Sequence, residues 1–418
     1  MNKICVIGAG AAGIISAIEA AKSNNEVYLI EKNDQLGKKL RITGKGRCNI
    51  TFQGDQKQFM DNLLVNSKFM YSAFKSFSNL DVVDFFNSIG VDTKIERGNR
   101  VFPVSDSATM VVEALGKKLK SSNVKIIYSA DVKDIILDNC KVSAVKYEKN
   151  GKEFILNATK VILATGGNTY KVTGSTGDGY KLAMKVGHSL VKVRPALVPL
   201  KTNKIDELEQ MQGLSLKNVS LSIKASEKEI YKDFGEMMFA HFGLTGPLVL
   251  SASSKLSRVK NIEEQLRSKN IRAFIDLKPA LSEEQLNLRI QRDFEKYSNK
   301  EFRNSLDDLL PKKLIQIIIK RSKISETKKV HQITKEERLN LINCIKNLEY
   351  TIEDFMPVDL GIVTAGGINV KEVDPKTMES KIVKGLFFAG EILDIDGYTG
   401  GYNLQIAFST GFVAGRDN

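Results

Sequence analysis

The stretch KICVIGAGAAG, residues 3–13, decides the fold of this chain. Residues 3–7 form a short apolar run, which is typical of a parallel strand buried on both faces. Three glycines follow with the spacing GxGxxG, and an alanine-rich helical pattern continues from them to Lys22. In such a turn the glycines permit a tight bend, close approach of the backbone to a pyrophosphate, and close packing of helix against strand. The helix N-terminus favours the negative charge of the phosphates. The stretch therefore predicts a dinucleotide-binding α/β domain.

An acidic residue follows at the distance that a dinucleotide site requires. Residues 26–31 predict a second strand that ends at Glu31, roughly 20 residues after the glycines. A carboxylate at this position accepts hydrogen bonds from the adenosine ribose hydroxyls, and its charge repels a 2′-phosphate. The pattern favours FAD or NAD over NADP, with a glycine-rich turn of an unrelated α/β protein as the alternative.

Length and composition are typical of a globular protein with two or three domains. The chain has 418 residues, of which 62 are Lys or Arg and 49 are Asp or Glu, giving a formal net charge of +13. Its four cysteines are scattered and it has only three histidines, which argues against a disulfide framework and against a metal site. Because no apolar stretch approaches the ~18 residues of a membrane span, we expect a cytoplasmic protein with reduced thiols and no membrane partner.

The order of the apolar runs predicts an α/β fold with an insertion. Buried strands at 160–164 and 385–389 are similar to the opening strand, whereas residues 190–278 predict short strands and residues 281–346 predict charged helices. We therefore assign residues 1–189 and 357–418 to a discontinuous dinucleotide-binding domain with a doubly wound sheet, 190–280 and 347–356 to an inserted β-rich substrate domain, and 281–346 to a small helical domain.

The carboxy-terminal segments distinguish FAD from NAD. Residues 385–391, GLFFAGE, resemble the late strand of two-dinucleotide-binding flavoproteins, in which an acid after the glycine binds the ribityl chain. That acid is Glu391 here, in place of the usual aspartate. Residues 400–405, GGYNLQ, open the final helix, whose N-terminus would face the flavin pyrimidine edge, where negative charge develops on reduction. We therefore predict an FAD-binding domain. The chain has no second GxGxxG, so NAD(P)H, as a possible electron donor, would have no Rossmann domain of its own.

Five further segments resemble the signatures of the HI0933-like family of flavoproteins. They are GKKL at 37–40, TGKGRCNIT at 43–51, RVFPVSD at 100–106, FGLTGP at 242–247 and TAGGI at 364–368. The resemblance spans essentially the whole chain, and one departure is Lys45, where the family commonly has a glycine. It implies a Rossmann-like FAD domain with an inserted β-rich domain and a helical domain. Members are NAD(P)/FAD-dependent oxidoreductases, some of them reductases of dehydro-bile-acid double bonds and others similar to aminoacetone oxidase.

The motifs and the resemblance together imply a set of FAD-contacting residues. They are Gly8, Gly10, Ala11, Ala12, Gly13, Glu31, Lys32, Lys39, Arg47, Cys48, Asn49, Thr51, Val132, Thr165, Gly166, Gly390, Glu391, Gly401, Asn403 and Leu404. Lys38, Lys39 and Arg47 would neutralise the pyrophosphate or orient a substrate anion, with a solvated basic loop as the alternative. Cys48 is either a flavin-facing nucleophile or, since it lacks a resolving partner, an inert packed thiol.

A second, looser resemblance narrows the reaction. ATGG at 164–167 and STGDGY at 175–180 are similar to segments of fumarate-reductase and ketosteroid-dehydrogenase flavoproteins, which move a hydride between flavin N5 and an activated carbon–carbon bond. This favours NAD(P)H-linked reduction of a C=C bond in a small molecule over oxygen-dependent oxidation of an amine. The alternative is that both segments only shape turns beside the flavin.

Three residues are candidates for the catalytic proton donor. His241 lies in a signature segment of the insertion, and Tyr398 and Tyr402 lie beside the predicted flavin edge. Each has a packing or hydrogen-bonding role as its alternative. Ser105 and Asp106 precede a helical pattern, and we expect them to cap that helix.

The excess of positive charge raises the question of a nucleic-acid partner. Much of it lies between residues 255 and 346, with a basic cluster at 312–329. Flavin-dependent tRNA-modifying enzymes share this fold, but no aromatic residues interleave the cluster and acidic residues are plentiful nearby. We therefore predict a solvated helical face and a small-molecule substrate rather than nucleic acid, and the oligomeric state stays open.

Overall fold

The computed structural model describes residues 2–357 and 361–416. Its buried apolar side chains form two separate clusters, one in each of two compact units. Unit 1 comprises Met1–Ala196 and Val358–Asn418, and unit 2 comprises Leu197–Pro357. Each unit has a core of its own, as is typical of domains of this size.

The first segment of unit 1 begins with the predicted order of strand, glycine turn, helix and strand. Its strands are β1 (Lys3–Ile7), β2 (Glu26–Ile30), β3 (Thr51–Phe52), β4 (Thr93–Glu96), β5 (Arg100–Pro103), β6 (Lys125–Ile127), β7 (Ala130–Asp138), β8 (Lys141–Lys149), β9 (Lys152–Asn157), β10 (Lys160–Leu163) and β11 (Leu190–Ala196). Its helices are α1 (Ala11–Ala20), α2 (Lys38–Ile42), α3 (Gln56–Asp61), α4 (Met70–Ser76), α5 (Asn79–Ser88), α6 (Ala108–Ser121) and α7 (Asp178–Lys185).

Unit 2 is built on a closed antiparallel barrel. Its strands are β12 (Leu200–Thr202), β13 (Ser215–Ala225), β14 (Lys228–Ala240), β15 (Gly243–Thr245), β16 (Ile271–Asp276) and β17 (Leu348–Phe355), and they pair in the order β12-β15-β14-β13-β16-β17. Its helices are α8 (Ile205–Met211), α9 (Pro247–Leu256), α10 (Ile262–Arg267), α11 (Glu283–Lys296), α12 (Lys312–Ser322) and α13 (Lys335–Lys346). The charged helices of residues 281–346 share one apolar core with the barrel strands, because their buried faces carry Leu and Ile at helical spacing.

The chain returns to unit 1 with β18 (Val363–Ile368), β19 (Leu386–Phe388) and α14 (Tyr402–Gly415). The main sheet has the order β19-β10-β1-β2-β6, and all its pairs are parallel. β1 lies at the centre of this sheet. Val6 on β1 and Leu163 on the neighbouring β10 are fully buried, as the apolar runs of both strands predict. This confirms the predicted α/β class with a parallel sheet and an additional β-rich region.

Helix α14 crosses α1 at close range because small residues line the crossing. A β-carbon added at Gly411 would lie 2.5 Å from the carbonyl oxygen of Ala12, and one added at Gly415 would lie 2.5 Å from that of Ser16. The C-terminal half of α14 is therefore fixed against α1, the helix that follows the glycine turn.

Three details of the fold differ from what the sequence pattern predicts. β11 pairs antiparallel with β18, so residues 190–196 lie in unit 1, although the predicted insertion begins at residue 190. Residues 190–278, expected to form short strands, also contain α8, α9 and α10. The final helix begins at Tyr402, with Gly401 as its left-handed N-cap. Among the described residues, we find no helix with the length and hydropathy needed to cross a membrane.

Candidate functional site

The glycine turn between β1 and α1 leaves room at its second glycine. A β-carbon at Gly13 would lie only 1.9 Å from the carbonyl oxygen of Gly8, so only glycine permits this approach of helix to turn. At Gly10, by contrast, an added β-carbon would meet no heavy atom of the described residues within 4 Å. Gly10 is the N-cap of α1, and Ala11 and Ala12 form its first turn. The turn therefore presents backbone N–H groups and open space, which is the arrangement that a pyrophosphate requires.

Glu31 lies at the carboxyl end of β2 and braces the turn. Its side chain is buried; Oε2 accepts a hydrogen bond from the N–H of Ala9 (2.6 Å), and Oε1 accepts from Nδ2 of Asn33 (2.7 Å). Because a carboxylate oxygen can accept two hydrogen bonds, Oε2 keeps capacity for a hydroxyl of a bound ribose. Val132, also predicted to contact FAD, lies buried on β7 just after Ala130, whose N–H donates to the Glu31 carbonyl (3.0 Å).

Lys32 connects this region to the second glycine-rich segment. Its Nζ donates to Oδ2 of Asp178 (2.7 Å) and to Oγ1 of Thr176 (3.3 Å). Burial alone would raise the pKa of Asp178, but the hydrogen bonds from Lys32 and Thr176 outweigh it and hold that pKa well below its ordinary value. Lys32 therefore orders the segment that follows β10.

Glu391 lies just after β19 and is held by three donors. Lys39 on α2 donates from Nζ to Oε2 (2.6 Å), and the backbone N–H of Thr364 donates to Oε1 (2.9 Å). The hydroxyl of Thr169 donates to Oε1 at 3.3 Å and accepts from Lys39 at 2.8 Å. Beside it, the N–H of Gly390 donates to Oγ1 of Thr410 on α14 (2.9 Å). The acid is thereby fixed relative to α2, and the residue before it is fixed to the C-terminal half of α14.

The carboxyl end of β10 carries a buried polar atom that lacks a partner. Oγ1 of Thr165 is inaccessible to solvent and makes no hydrogen bond within the described part of the chain. Gly166 follows with a left-handed φ of 74°. The glycine turn, Glu31, Thr165 and Gly390 thus follow the carboxyl ends of β1, β2, β10 and β19, which are neighbours in one parallel sheet. This edge is where α/β sheets bind dinucleotides, and a cofactor there could satisfy the Thr165 hydroxyl.

Arg47 is paired within the chain rather than facing open space. Its guanidinium donates to Glu96 and to Oδ1 of Asp106 (2.5 Å) and lies 4.3 Å above the ring of Phe102. The hydrogen bonds to Glu96 and Asp106 raise the pKa of Arg47. The expectation that Asp106 caps the next helix is wrong, because Ser107 accepts the capping hydrogen bond of α6 while Asp106 serves the ion pair.

The residues after Arg47 attach this loop to the start of α14. Burial raises the pKa of the fully buried Cys48 thiol to about 12, so the structure favours the packed-thiol interpretation over the nucleophile. The Asn49 amide, oriented so that its donors face acceptors, donates to the Thr51 carbonyl (3.0 Å) and accepts from the Gly401 N–H (2.9 Å). The hydroxyl of Thr51 donates to Oε1 of Gln405 (2.6 Å). The loop therefore positions the N-terminus of the last helix.

Two of the proton-donor candidates meet at this helix N-terminus. Tyr402 is buried, its ring lies 4.8 Å from that of Phe52, and burial raises its pKa. Tyr398 is half-buried, and its backbone carbonyl accepts a hydrogen bond from Nδ2 of Asn403 (3.2 Å). The same Nδ2 donates to the carbonyl of Gly397 in the turn before α14 (2.8 Å). Leu404 packs half-buried against the same core.

The third candidate, His241, belongs to unit 2. It is exposed at the turn between β14 and β15, and its ring stands edge-on to that of Phe242 at 5.1 Å. It is therefore placed by the barrel and not by the elements that position the other predicted residues.

Part of the basic cluster of unit 2 is paired within that unit. The guanidinium of Arg321 donates to Oε2 of Glu207 (2.5 Å), and Nζ of Lys328 donates to Oε1 of Glu337 (2.7 Å). Nζ of Lys313 donates to a backbone carbonyl, that of Gln212 (2.8 Å). These three side chains therefore have partners within unit 2.

Several contacts of the candidate site are not visible in the sequence pattern. The pattern singled out Lys39 and Glu391 separately, but their pairing, and the roles of Thr169 and Thr364, appear only in three dimensions. Thr364 is the first residue of the signature segment TAGGI at 364–368, and this position is the sequence feature that points to it. Asp178 likewise stands in the second glycine-rich segment without a predicted role.

The chain is similar to known proteins over nearly its whole length. A family model described as "HI0933-like protein Rossmann domain" matches residues 2–417. A protein of Clostridium scindens named 3-dehydro-bile acid delta(4,6)-reductase is 34% identical over 100% of this chain and 98% of its own length. A protein of Escherichia coli named ribosomal RNA dihydrouridine synthase is 28% identical over 99% of this chain and 96% of its own.

Solved structures add a likeness of fold. The crystal structure of 3-ketosteroid delta1-dehydrogenase from Sterolibacterium denitrificans superposes with a TM-score of 0.55 at 13% identity, covering 99% of both chains. At this identity the likeness supports the architecture and leaves the reaction open.

Proposed function

The chain belongs to the HI0933-like family, and on this premise we propose that it is an FAD-dependent oxidoreductase that reduces a carbon–carbon double bond conjugated to a carbonyl group, with NAD(P)H as electron donor. The observation that carries the cofactor assignment is the convergence of the open glycine turn, Glu31, Thr165 and Glu391 at one edge of the parallel sheet. The names of the relatives support the reaction.

The two relatives' names describe one kind of chemistry. A delta(4,6)-reductase of a 3-dehydro steroid reduces a double bond conjugated to a ketone, and dihydrouridine results from reduction of the uracil double bond next to a carbonyl. In both cases a hydride adds to a carbon of the conjugated system that is remote from the carbonyl, and a proton adds to a carbon nearer to the carbonyl. Reduction of an electron-poor C=C bond is therefore the reaction that both support, and neither name supports amine oxidation.

This chain's residues have distinct proposed roles around the cofactor. Gly10 and the N-terminus of α1 would receive the pyrophosphate, Glu31 the adenosine ribose, and Glu391 the ribityl chain. When bound, FAD supplies the hydride and takes up electrons from the donor. The N-terminus of α14 would stabilise negative charge on the flavin pyrimidine.

Among the tyrosines we favour Tyr398 as the proton donor. Tyr402 is buried against Phe52, and burial holds its proton more firmly. Tyr398 is half-buried on the turn before α14, so this residue is more exposed than Tyr402 to the solvent from which a proton donor is recharged.

A uracil base of ribosomal RNA is the second candidate substrate. The relative from Escherichia coli aligns over nearly the whole chain, and the net charge of +13 suits a polyanionic partner. We prefer a small-molecule enone because the relative named as a bile-acid reductase has the higher identity and because several cationic side chains of the basic cluster are paired internally.

An anaerobic half-reaction experiment tests the proposal. The purified protein is checked for visible flavin absorbance, reduced with NADH or NADPH, and then mixed separately with a steroid dienone, with unmodified ribosomal RNA, and with oxygen plus an amine. Reoxidation by the dienone supports the proposal, and reoxidation by RNA with formation of dihydrouridine moves the assignment to the second candidate. A protein that cannot be reconstituted with FAD, or one reoxidised by oxygen alone, would overturn it. Tyr398→Phe should slow reoxidation by substrate while leaving reduction by NAD(P)H unchanged, and Tyr402→Phe is its matched control.

A further inference from the structure

Lys39, Glu391 and Thr169 form a closed triangle of hydrogen bonds. Nζ of Lys39 lies 2.6 Å from Oε2 of Glu391 and 2.8 Å from Oγ1 of Thr169, and the same Oγ1 lies 3.3 Å from Oε1 of Glu391. The three residues come from α2, from the segment after β10 and from the segment after β19. Because Thr169 accepts from Lys39 and donates to Glu391, every contact in the triangle has a donor and an acceptor.

The triangle is largely enclosed. The side chains of Lys39 and Glu391 are 22% and 20% exposed, and Thr169 is fully buried. A carboxylate so enclosed is stable only when it is paired and hydrogen-bonded. Lys39 supplies the opposite charge, and the N–H of Thr364 supplies a further hydrogen bond at 2.9 Å.

The neighbouring backbone leaves room for this arrangement. A β-carbon added at Gly167 would lie 2.2 Å from Oγ1 of Thr364 and 2.8 Å from Oε1 of Glu391. The side chain of glutamate has one more rotatable bond than that of aspartate, so its carboxylate needs external contacts to occupy one position. Here those contacts are Lys39, Thr169 and Thr364.

We propose that Lys39 is a positioning residue that acts on FAD through Glu391 and not through the pyrophosphate. This rests on the proposed FAD site. Two of the three N–H donors of the Lys39 ammonium are directed to Glu391 and Thr169, so its charge is committed to the ribityl acid. Loss of Lys39 releases the carboxylate of Glu391 from its position and leaves its charge uncompensated.

A double-mutant cycle separates the two roles of Lys39. Lys39→Met, Glu391→Gln and the double variant are prepared without FAD, and the FAD dissociation constant is measured by fluorescence titration. If Lys39 acts through Glu391, each single change weakens binding by about tenfold or more, and the double variant binds no worse than the weaker single variant. Lys39→Arg, which keeps the charge, should recover most of the affinity.

The double-mutant cycle gives a different result if Lys39 contacts the pyrophosphate directly. If Lys39 binds the pyrophosphate, the losses from Lys39→Met and Glu391→Gln multiply in the double variant, and the proposal is overturned. Lys120→Met, which removes an exposed lysine from the surface of α6, is the matched control and should bind FAD as the parent does. If Lys39→Met does not fold by circular dichroism, Lys39→Gln replaces it in the cycle. Failure of the parent to bind FAD would contradict the proposed function, whereas additive losses with a binding-competent parent contradict only the role of Lys39.

Discussion

Replacing single glycines of the opening turn should separate packing from cofactor binding. The β-carbon of Gly13→Ala would lie 1.9 Å from the Gly8 carbonyl oxygen, whereas real contacts essentially never fall below 3.0 Å. The helix and the turn must therefore separate by about 1 Å, an overpacking whose cost in a tight core is about 1–3 kcal/mol. Alanine returns about 1 kcal/mol through its higher helix propensity. Because the obstacle is backbone, we place the cost at the upper end and expect a net loss of about 2 kcal/mol in unfolding free energy.

The same displacement should weaken FAD binding. Moving the turn N–H groups by about 1 Å removes at least one hydrogen bond to a charged phosphate, worth about 1.5–3 kcal/mol. The dissociation constant of Gly13→Ala should therefore rise by about tenfold or more. The melting temperature of the apo-protein, followed by circular dichroism, should fall by about 4–8 °C, since 1 kcal/mol corresponds to about 2–4 °C in a domain of this size.

Two further glycines serve as comparisons. Gly10→Ala adds a methyl group where no described heavy atom lies within 4 Å, so stability should change by less than about 1 kcal/mol while FAD affinity still falls. Gly116→Ala on α6 meets only Leu36 at 3.4 Å and should leave FAD affinity unchanged. Unaltered FAD binding by Gly10→Ala would refute the placement of the pyrophosphate, and unaltered stability of Gly13→Ala would refute the close-packing argument.

Three other predictions concern titration and packing. Because burial raises the pKa of Cys48 to about 12, Cys48 should resist alkylation at pH 8 in the folded protein while the exposed Cys140 reacts, as mass spectrometry of labelled peptides will reveal; equal rates would contradict the packed-thiol interpretation. Tyr402→Ala should destabilise the protein by about 3–5 kcal/mol in denaturant unfolding because it empties the space beside Phe52, whereas Tyr402→Phe should not. The buried ring of His188, in the segment between α7 and β11, contacts Glu372 (3.2 Å) and Ser380 (2.8 Å). Burial lowers its pKa more than Glu372 raises it, so the unfolded chain binds the proton first and stability should fall as the pH drops below about 6.5. Thermal melts at pH 5.5 and 7.5 should show a larger decrease for the parent than for His188→Gln, and identical decreases would count against this assignment.

Local patterns predicted the elements that depend on neighbouring residues. The run from β1 through the glycine turn to β2 is specified within 31 residues by apolar periodicity and by glycine spacing, and the structure confirms it. The barrel of unit 2 could not be predicted in this way, since its closure depends on pairing between strands far apart in the chain. β12 has only three residues, yet it pairs with both β15 and β17.

The same distinction applies to the site. Glu31 and Gly10 are predicted from spacing because the turn and the strand that carry them lie close together in the chain. Lys39 and Glu391 are separated by 352 positions, and no periodicity relates a lysine on α2 to an acid after β19. The signature segment predicts that Arg47 neutralises the pyrophosphate or orients a substrate anion. The carboxylates that pair with it, Glu96 and Asp106, are brought to it by the folding of β4 and the loop before α6.

The position of unit 2 within the chain has a consequence for biosynthesis. β10 and β19 are adjacent in the sheet, but the chain between them contains the whole of unit 2. At about 5–20 residues per second, the ribosome delivers β19 roughly 10–45 s after β10. During that interval the edge of β10 is unpaired and α1 lacks α14, so the nascent chain exposes apolar surface. Glu391 follows β19, so a newly made chain presents the glycine turn before it contains the acid that we propose for the ribityl chain.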